Sequence, residues 1–376
     1  MTIMSDLYLG LMSGTSLDGI DAVVVDLSAS PPTVLAAQTQ PYTATLRAQL
    51  LELAQGSAHN EIELLGRLDT QLGELFATAV TALLASNHIT ANQIHAIGSH
   101  GQTIRHRPQG EHPFTLQIGD PNLIAERTGI TTIADFRRRD LAAGGQGAPL
   151  VPAFHAACFR HAEEQRALLN IGGMANLTIL PSDLQQPVTG FDTGPGNVLM
   201  DAWINQHRGL PFDEAGQWAA SGKVNPDLLN RLMAEPYLKS PPPKSTGREL
   251  FHLEWLKPKL ADGAPAEDIQ ATLSAFTASS IASALQNWAP KTQRLLVCGG
   301  GAHNRHLLNT LSGYLPDICV EPTSAQGMHP DWIEAAAFAW MARETLAARP
   351  SNVPSVTGAR HPVILGGTYS AGTVPE

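Results

Sequence analysis

The feature that most restricts this fold is a strand, turn, strand motif used twice. Residues 7–12 are apolar, 13–19 are rich in Gly, Ser and Thr, and 20–27 (IDAVVVDL) are β-branched, which predicts a hairpin with a polar tight turn. About 160 residues later the theme returns as ALLNI (167–171), the turn GGMAN (172–176) and LTIL (177–180). After the first hairpin, helical periodicity is expected at about 45–54 and 62–85, short strands near 94–98 and 114–118, a helix from Pro121 and a strand at 130–134. The second hairpin is followed by a loop at FDTGPGN (191–197), a helix through Trp203, a long helical pattern at 271–288, the strand RLLVC (294–298) and an Ala-rich helix from about 330 to 348. Two hairpin-led sheets that each carry helices predict a duplicated α/β architecture. The two copies share no long run of identical residues.

Length and composition set the limits around that pattern. A chain of 376 residues suits two domains, and 43% hydrophobic against 15% charged residues predicts a sizeable core. The net charge of -10 repels polyanions, which disfavours general nucleic-acid binding but not a local phosphate site. No apolar run reaches the roughly 20 residues of a membrane span. The first basic residue is Arg47, which is not how a secretory signal begins, so a cytoplasmic protein is expected. Cys158, Cys298 and Cys319 are widely spaced and read as thiols, and His303 with His306 lacks further ligands for a structural metal.

Several short segments could carry chemistry. In GTSLDGID, the backbone N–H groups and the Thr15 and Ser16 hydroxyls could surround a phosphate, and Asp18 and Asp21 could hold magnesium through water; the plain alternative is a polar hairpin turn. Gly172, Gly173 and Asn176 offer the same facilities in the second half. CGGGAHN, after an apolar strand, suggests a flat ligand such as a nucleoside lying on Gly299, Gly300 and Gly301. Asp192 in FDTGPGN either caps a turn or takes a proton from an attacking hydroxyl or water. A single D-T-G does not supply the paired carboxylates of an aspartic protease.

Arg137, Arg138 and Arg139 provide forks for anionic oxygens or simply a solvated face. His100 and Gln102, after a predicted strand end, could contact a sugar or satisfy loop backbone. Glu334 opens the Ala-rich helix, where the dipole alone favours a carboxylate, and is expected to point toward a cleft. The glycines of 141–149 are plausible hinge material, and KSPPPKSTG (239–247) reads as a surface loop or the rim of a site.

Taken in order, MSGTSLDGID, SHGQT, LQIGDPNLIAERTGI, DFRRRDLAAGGQGAPLVPAFH, NIGGMANLT, GFDTGPGNVLMDAW, CGGGAHN and EAAAFAWMA resemble the anhydro-N-acetylmuramic acid kinase family from residue 7 to about 372. Ile104–His106 (IRH) departs from the family's bulkier valine-tryptophan-histidine pattern. The resemblance implies a duplicated actin-like (ribonuclease H-like) ATPase fold: a first domain over 1–145, a second over 146–349, the segment 350–376 returning to the first, and a central nucleotide cleft. It implies an ATP- and magnesium-dependent kinase that opens the 1,6-anhydro ring of its amino-sugar substrate with water, phosphorylates O6, and works as a homodimer in cell-wall recycling.

Position by position, the resemblance makes Gly14, Thr15, Ser16, Leu17, Asp18, Gly19, Ile20 and Asp21 the first phosphate loop. Gly172, Gly173 and Asn176 become the second, and Gly299, Gly300, Gly301 and Asn304 the adenosine contact. Asp192 is the base, Glu334 an orienting carboxylate, and His100, Gln102 and Arg137 bind the sugar. An ordinary N-acetylhexosamine kinase of the same fold is the alternative; ring opening adds a water to the product mass, and simple phosphorylation does not. A nucleotide-gated assembly protein would instead hydrolyse ATP without sugar and polymerise.

Overall fold

A computed structural model describes residues 6–372, which form two compact units: 6–158 with 332–372, and 159–331. The ends of the expected domain ranges, 1–5 and 373–376, lie outside the described residues. The division falls at 158/159 and 331/332, not at 145/146 and 349/350. The Ala-rich helix Ile333–Leu346 therefore belongs with the first unit, because it packs on that unit's sheet.

In unit 1, β1 (Leu7–Ser13), β2 (Gly19–Asp26) and β3 (Thr33–Pro41) form an antiparallel meander. Next come helices α1 (Ala44–Gln55) and α2 (Glu61–Ser86) and strand β4 (Ala96–Arg107), which lies parallel to β1. Strand β5 (Phe114–Ile118) folds back on β4; then α3 (Pro121–Thr128), β6 (Thr132–Ala134), α4 (Phe136–Ala142) and α5 (Pro152–Phe159) follow. β6 is parallel to β4. Local chemistry sets these boundaries: Thr43 caps α1 by accepting from the Leu46 N–H, and Gly56 ends it in the left-handed region. Asp120 and Pro121 start α3. Leu64, Leu68, Leu72, Phe76, Val80 and Leu83 make the apolar stripe by which α2 covers the sheet.

Unit 2 repeats the plan. β7 (Arg166–Ile171), β8 (Met174–Leu180) and β9 (Thr189–Pro195) form the meander, followed by α6 (Val198–Arg208) and the short helices α7 (Gln217–Ser221), α8 (Pro226–Met233), α9 (Pro236–Lys239) and α10 (Leu253–Leu256). The central α11 (Ala266–Trp288) leads to β10 (Arg294–Cys298), α12 (Arg305–Tyr314) and β11 (Cys319–Pro322), with β10 parallel to both β7 and β11. The strand orders are β3-β2-β1-β4-β6 in unit 1 and β9-β8-β7-β10-β11 in unit 2, so one topology occurs twice. This is the duplicated ribonuclease H-like, actin-like plan. The chain then supplies α13 (Ile333–Leu346), α14 (Pro354–Thr357) and β12 (Gly367–Tyr369) to unit 1, where β12 pairs with β6.

Two contacts place α13. A Cβ at Gly10 on β1 would run into the Ala335 carbonyl, and one at Gly98 on β4 into the Phe338 carbonyl. The small residues on both sides let helix backbone sit directly on sheet backbone, fixing the helix start that carries Glu334.

The 141–149 segment is no hinge, contrary to expectation. Asp140, fully buried, accepts from the Gly147 N–H at 2.7 Å, from Asn352 Nδ2 at 2.7 Å and from the Thr357 hydroxyl at 2.8 Å, and the Gln146 N–H donates to the Thr357 carbonyl. Four ties to one rigid corner remove the freedom its glycines would otherwise give.

Candidate active site

In unit 2 the candidate residues gather where β7 and β10 end. The second turn is shorter than GGMAN: Gly172 and Gly173 turn the chain, and Met174 already belongs to β8. Three backbone N–H groups at the entry to α6 clamp this turn, with Gly196 and Val198 donating to the Gly173 carbonyl and Asn197 to the Gly172 carbonyl, at 2.8, 3.1 and 2.8 Å. Gly196 is required there, since a Cβ would strike the Gly172 carbonyl. The positive end of the α6 dipole is thus locked beside the glycine turn, a setting that favours a negative ligand.

The triple glycine lies against the same turn. A Cβ on Gly299 would meet the Asn170 side chain, and one on Gly301 the Ile171 side chain, whereas at Gly300 the nearest atom is Asn197 Nδ2 at 3.9 Å. Two of the three glycines are therefore demanded by packing on β7, and Gly300 alone leaves room for a ligand. Asn304 is buried and caps α12 by accepting from the Leu307 N–H at 3.0 Å.

Asp192 lies within β9 (Thr189–Pro195), not in a loop as expected. Its register partner is Asn176 on β8, and an extra residue, Thr193, bulges out next to it, pinned by its hydroxyl to the Ala175 carbonyl. The Asp192 carboxylate accepts from the Thr246 N–H at 3.0 Å, while its own N–H donates to the Lys244 carbonyl and its carbonyl accepts from the Tyr237 hydroxyl. Burial is the main reason its carboxyl is pushed up to about 6; the Thr246 N–H and the Lys244 ammonium oppose that rise, and Glu249 adds to it. Lys244 is itself held by the carbonyls of Tyr237 and Leu238. The segment read as a possible rim thus supplies the cradle of Asp192. Asp201, one turn into α6, is pushed up to about 7 by burial, lowered by Arg248 and raised by Asp213.

Unit 1 builds a second group at the ends of β1 and β4. The turn Gly14–Asp18 closes with the Leu17 N–H on the Gly14 carbonyl, Leu17 takes φ 56, and the Ser16 hydroxyl donates to Asp18. Thr15 and Asp18 are exposed, while Gly19 and Ile20 have already entered β2. Asp21 accepts from the Thr39 hydroxyl at 2.6 Å. SHGQT is not a loop: it continues β4 through a bulge at His100–Gly101, where Gly101 takes φ 71.

Gln102 is fully buried; its amide oxygen accepts from the Ser13 hydroxyl at 2.7 Å, and its amide nitrogen donates to the Gly14 carbonyl at 3.1 Å. Both ends of the expected sugar contact are thus engaged in holding the first turn. His100 is likewise buried, with Nδ1 toward the Ser13 carbonyl at 3.2 Å and Nε2 accepting from Arg137 at 2.9 and 3.1 Å. Burial and the adjacent guanidinium hold this imidazole well below its usual range, so it is neutral. Arg137 also donates to the Gly147 carbonyl at 2.8 Å and is brought down to about 10 by burial, against the pull of the Glu334 and Asp140 carboxylates. His100, Arg137 and Glu334 are therefore one coupled group. Among the described residues no set of three His, Cys, Asp or Glu side chains is placed to hold a metal.

The family model for anhydro-N-acetylmuramic acid kinase matches residues 6–371. The chain belongs to the anhydro-N-acetylmuramic acid kinase family. Relatives of that name from Xylella fastidiosa, Xanthomonas campestris and Coxiella burnetii are 55%, 54% and 51% identical; they align with 97%, 98% and 96% of this chain and 96%, 98% and 97% of their own lengths. Where the resemblance expects a tryptophan in this kinase family, Arg105 stands instead. It spans from β4 to the end of α1, donating to the Leu53 carbonyl and to Glu61. Lys244, Thr246, Tyr237, Ser13 and Tyr42, whose hydroxyl lies 2.8 Å from that of Ser13, are contacts that sequence reasoning missed. The hydrogen bonds of Thr246, Tyr237, Ser13 and Tyr42 bridge 54, 45, 89 and 29 residues, whereas the Lys244 ammonium reaches carbonyls only six and seven residues away, just after the prolines that gave a local signal.

Proposed function

We propose that this chain is the kinase that opens the 1,6-anhydro ring of 1,6-anhydro-N-acetylmuramic acid and phosphorylates O6 with ATP, giving N-acetylmuramic acid 6-phosphate and ADP. The observation that carries this reading is Asp192: a partly exposed carboxylate, anchored through one oxygen, on a bulged strand beside a glycine turn and a helix N-terminus. Asp192 takes a proton from water, the water oxygen bonds to C1, and the C1–O6 bond breaks. The freed O6 then attacks the γ-phosphorus and ADP leaves. General base action of this kind contributes roughly 10²–10⁴ in rate.

The turns Gly14–Asp18 and Gly172–Gly173 are the phosphate contacts of this reading, and Gly300 the adenosine contact. Magnesium fits the donor set only in the manner usual for this ion, with one or two carboxylates plus nucleotide oxygens and water. Asp18, exposed in the first turn, and Asp21 would hold it, and it would neutralise phosphate charge. His100 and Gln102 fix the first turn, and Arg137 with Glu334 orients the sugar. The cytoplasmic homodimer implied by the family belongs to the same reading, and its mass in sedimentation would be twice that of the chain. The decisive experiment is turnover with ATP, magnesium and the anhydro sugar in ¹⁸O-water. Label on the C1 oxygen of a phosphorylated product is expected; a phosphorylated product that still contains the anhydro ring would refute the hydrolytic step.

A further inference from the structure

The carbonyls in and beside the first turn of unit 1 are held by donors of that unit. Gly14 accepts from the Leu17 N–H at 3.3 Å and from Gln102 Nε2 at 3.1 Å, and Ser16 accepts from Arg47 at 3.5 Å. Asp18 accepts from the Tyr42 N–H at 3.0 Å, Gly19 from the Ser13 hydroxyl at 2.8 Å, and the Ser13 carbonyl lies 3.2 Å from His100 Nδ1. Carbonyl oxygens repel a phosphate and amide N–H groups attract it, so a turn whose carbonyls are tied back offers its N–H groups to an anion. Tyr42, buried between β3 and α1, enters this set twice. Its backbone holds Asp18 at one end of the turn, and its hydroxyl reaches Ser13 at the other.

Counting hydrogens shows what that hydroxyl adds. Ser13 has one hydroxyl hydrogen and two acceptors in reach, the Gly19 carbonyl at 2.8 Å and Gln102 Oε1 at 2.7 Å. The Gln102 amide cannot turn round to supply a hydrogen itself, because its nitrogen already donates to the Gly14 and Thr103 carbonyls. The Tyr42 hydroxyl, 2.8 Å from Ser13 Oγ and 3.4 Å from Gln102 Oε1, brings the second hydrogen. A phenol keeps that hydrogen at neutral pH. With it, the Gly19 carbonyl and the Gln102 amide are both served; without it, one buried acceptor loses its donor, at a cost. One of these acceptors closes the end of the turn, and the other orients the side chain that holds its start.

We propose that Tyr42 is a positioning residue for ATP: its hydroxyl completes the Ser13–Gln102 pair, which holds both ends of the first turn in the form that binds phosphate. The inference rests on the kinase reading and gives a role to a residue outside every motif of the sequence. Tyr42→Phe tests it, because the ring and the backbone bond to Asp18 remain and only the hydroxyl is lost. Calorimetry with magnesium present should show ATP bound about 5-fold or more weakly, and adenosine, which has no phosphate, bound as before. KM for ATP should rise by the same factor, while KM for the sugar and the melting temperature of the nucleotide-free protein change little. Ser13→Ala should weaken ATP binding likewise, and the double variant should be no worse than the weaker-binding single one, since the two hydroxyls act as a unit. Unchanged ATP affinity in folded Tyr42→Phe, equal losses for ATP and adenosine, or additive losses in the double variant overturn the positioning role and leave the kinase reading standing. Absence of ATP binding by the unsubstituted protein overturns both.

Discussion

At the scale of single residues, ionisation separates the roles. Asp192 must be charged to accept a proton, so with its carboxyl near 6 the activity should fall as pH drops through about 6, with turnover following that group. His100, already neutral, contributes nothing to this limb. Asp192→Asn should retain nucleotide binding and lose turnover by 10² or more, measured by product release; near-normal turnover would remove Asp192 from the base role. The same shift has a stability consequence with a definite sign. The native state holds the Asp192 proton more tightly than the unfolded chain, so this group favours folding below about pH 4, and that contribution is lost as pH rises through about 6. At pH 7 the Asn variant should therefore be more stable by about 1–2 kcal/mol after allowing for partial exposure, read from urea midpoints. A variant stabilised at pH 3 instead would contradict that account.

Among elements, α13 makes the sharpest prediction. Its backbone rests on Gly10 and Gly98, so Gly98→Ala must push Phe338 and the helix away from β4, while the neighbouring Ala and Phe side chains lose contact. A loss of about 2–3 kcal/mol is expected in denaturant unfolding, and sugar KM should rise because Glu334 rides on the displaced helix. The same element shows which structure is legible in a linear sequence. The hairpins β1–β2 and β7–β8 were readable because β-branched alternation and small turn residues are local signals, and α2, α11 and α13 because their periodicity is long. β9 was not, because Gly190, Gly194 and Pro195 look like loop, and what makes a strand there is pairing with β8 across the Thr193 bulge. SHGQT suggested a loop for a similar reason: its glycine marks a bulge inside β4. β3 and β12 carried no local signal strong enough to be expected, since one is an edge strand and the other spans three residues. Within the candidate site the turns were readable. What holds them was not, because Gln102 to Ser13, Thr246 to Asp192 and Asn352 to Asp140 bridge 89, 54 and 212 residues.

Across the whole molecule, the two units share a topology but differ in how the chain builds them. Unit 2 is one uninterrupted stretch, 159–331, with its own core of Ile171, Leu177, Trp203, Phe276, Ile281 and Leu295 and their neighbours, all within that stretch. Unit 1 needs both ends of the chain: β12 extends its sheet at β6, α13 covers β1 and β4, and Asn352 and Thr357 satisfy the buried Asp140. Cutting the chain after Asp331 would therefore strip unit 1 of the large buried side chains of α13, Phe338 and Met341 among them, each worth roughly 1.5–3 kcal/mol. It would also leave the Asp140 carboxylate without two of its donors, at a cost of about 1–3 kcal/mol or more. Together these losses approach the whole stability of a typical domain, about 5–15 kcal/mol. A fragment of 159–331 should fold with a cooperative thermal transition and bind no sugar, whereas a fragment of 1–331 should protect amides of β7 and β10 from exchange while those of β1 and β4 exchange freely. Equal protection of both sheets in the longer fragment would show that unit 1 folds without its C-terminal elements, and the packing of α13 would then be incidental to its stability.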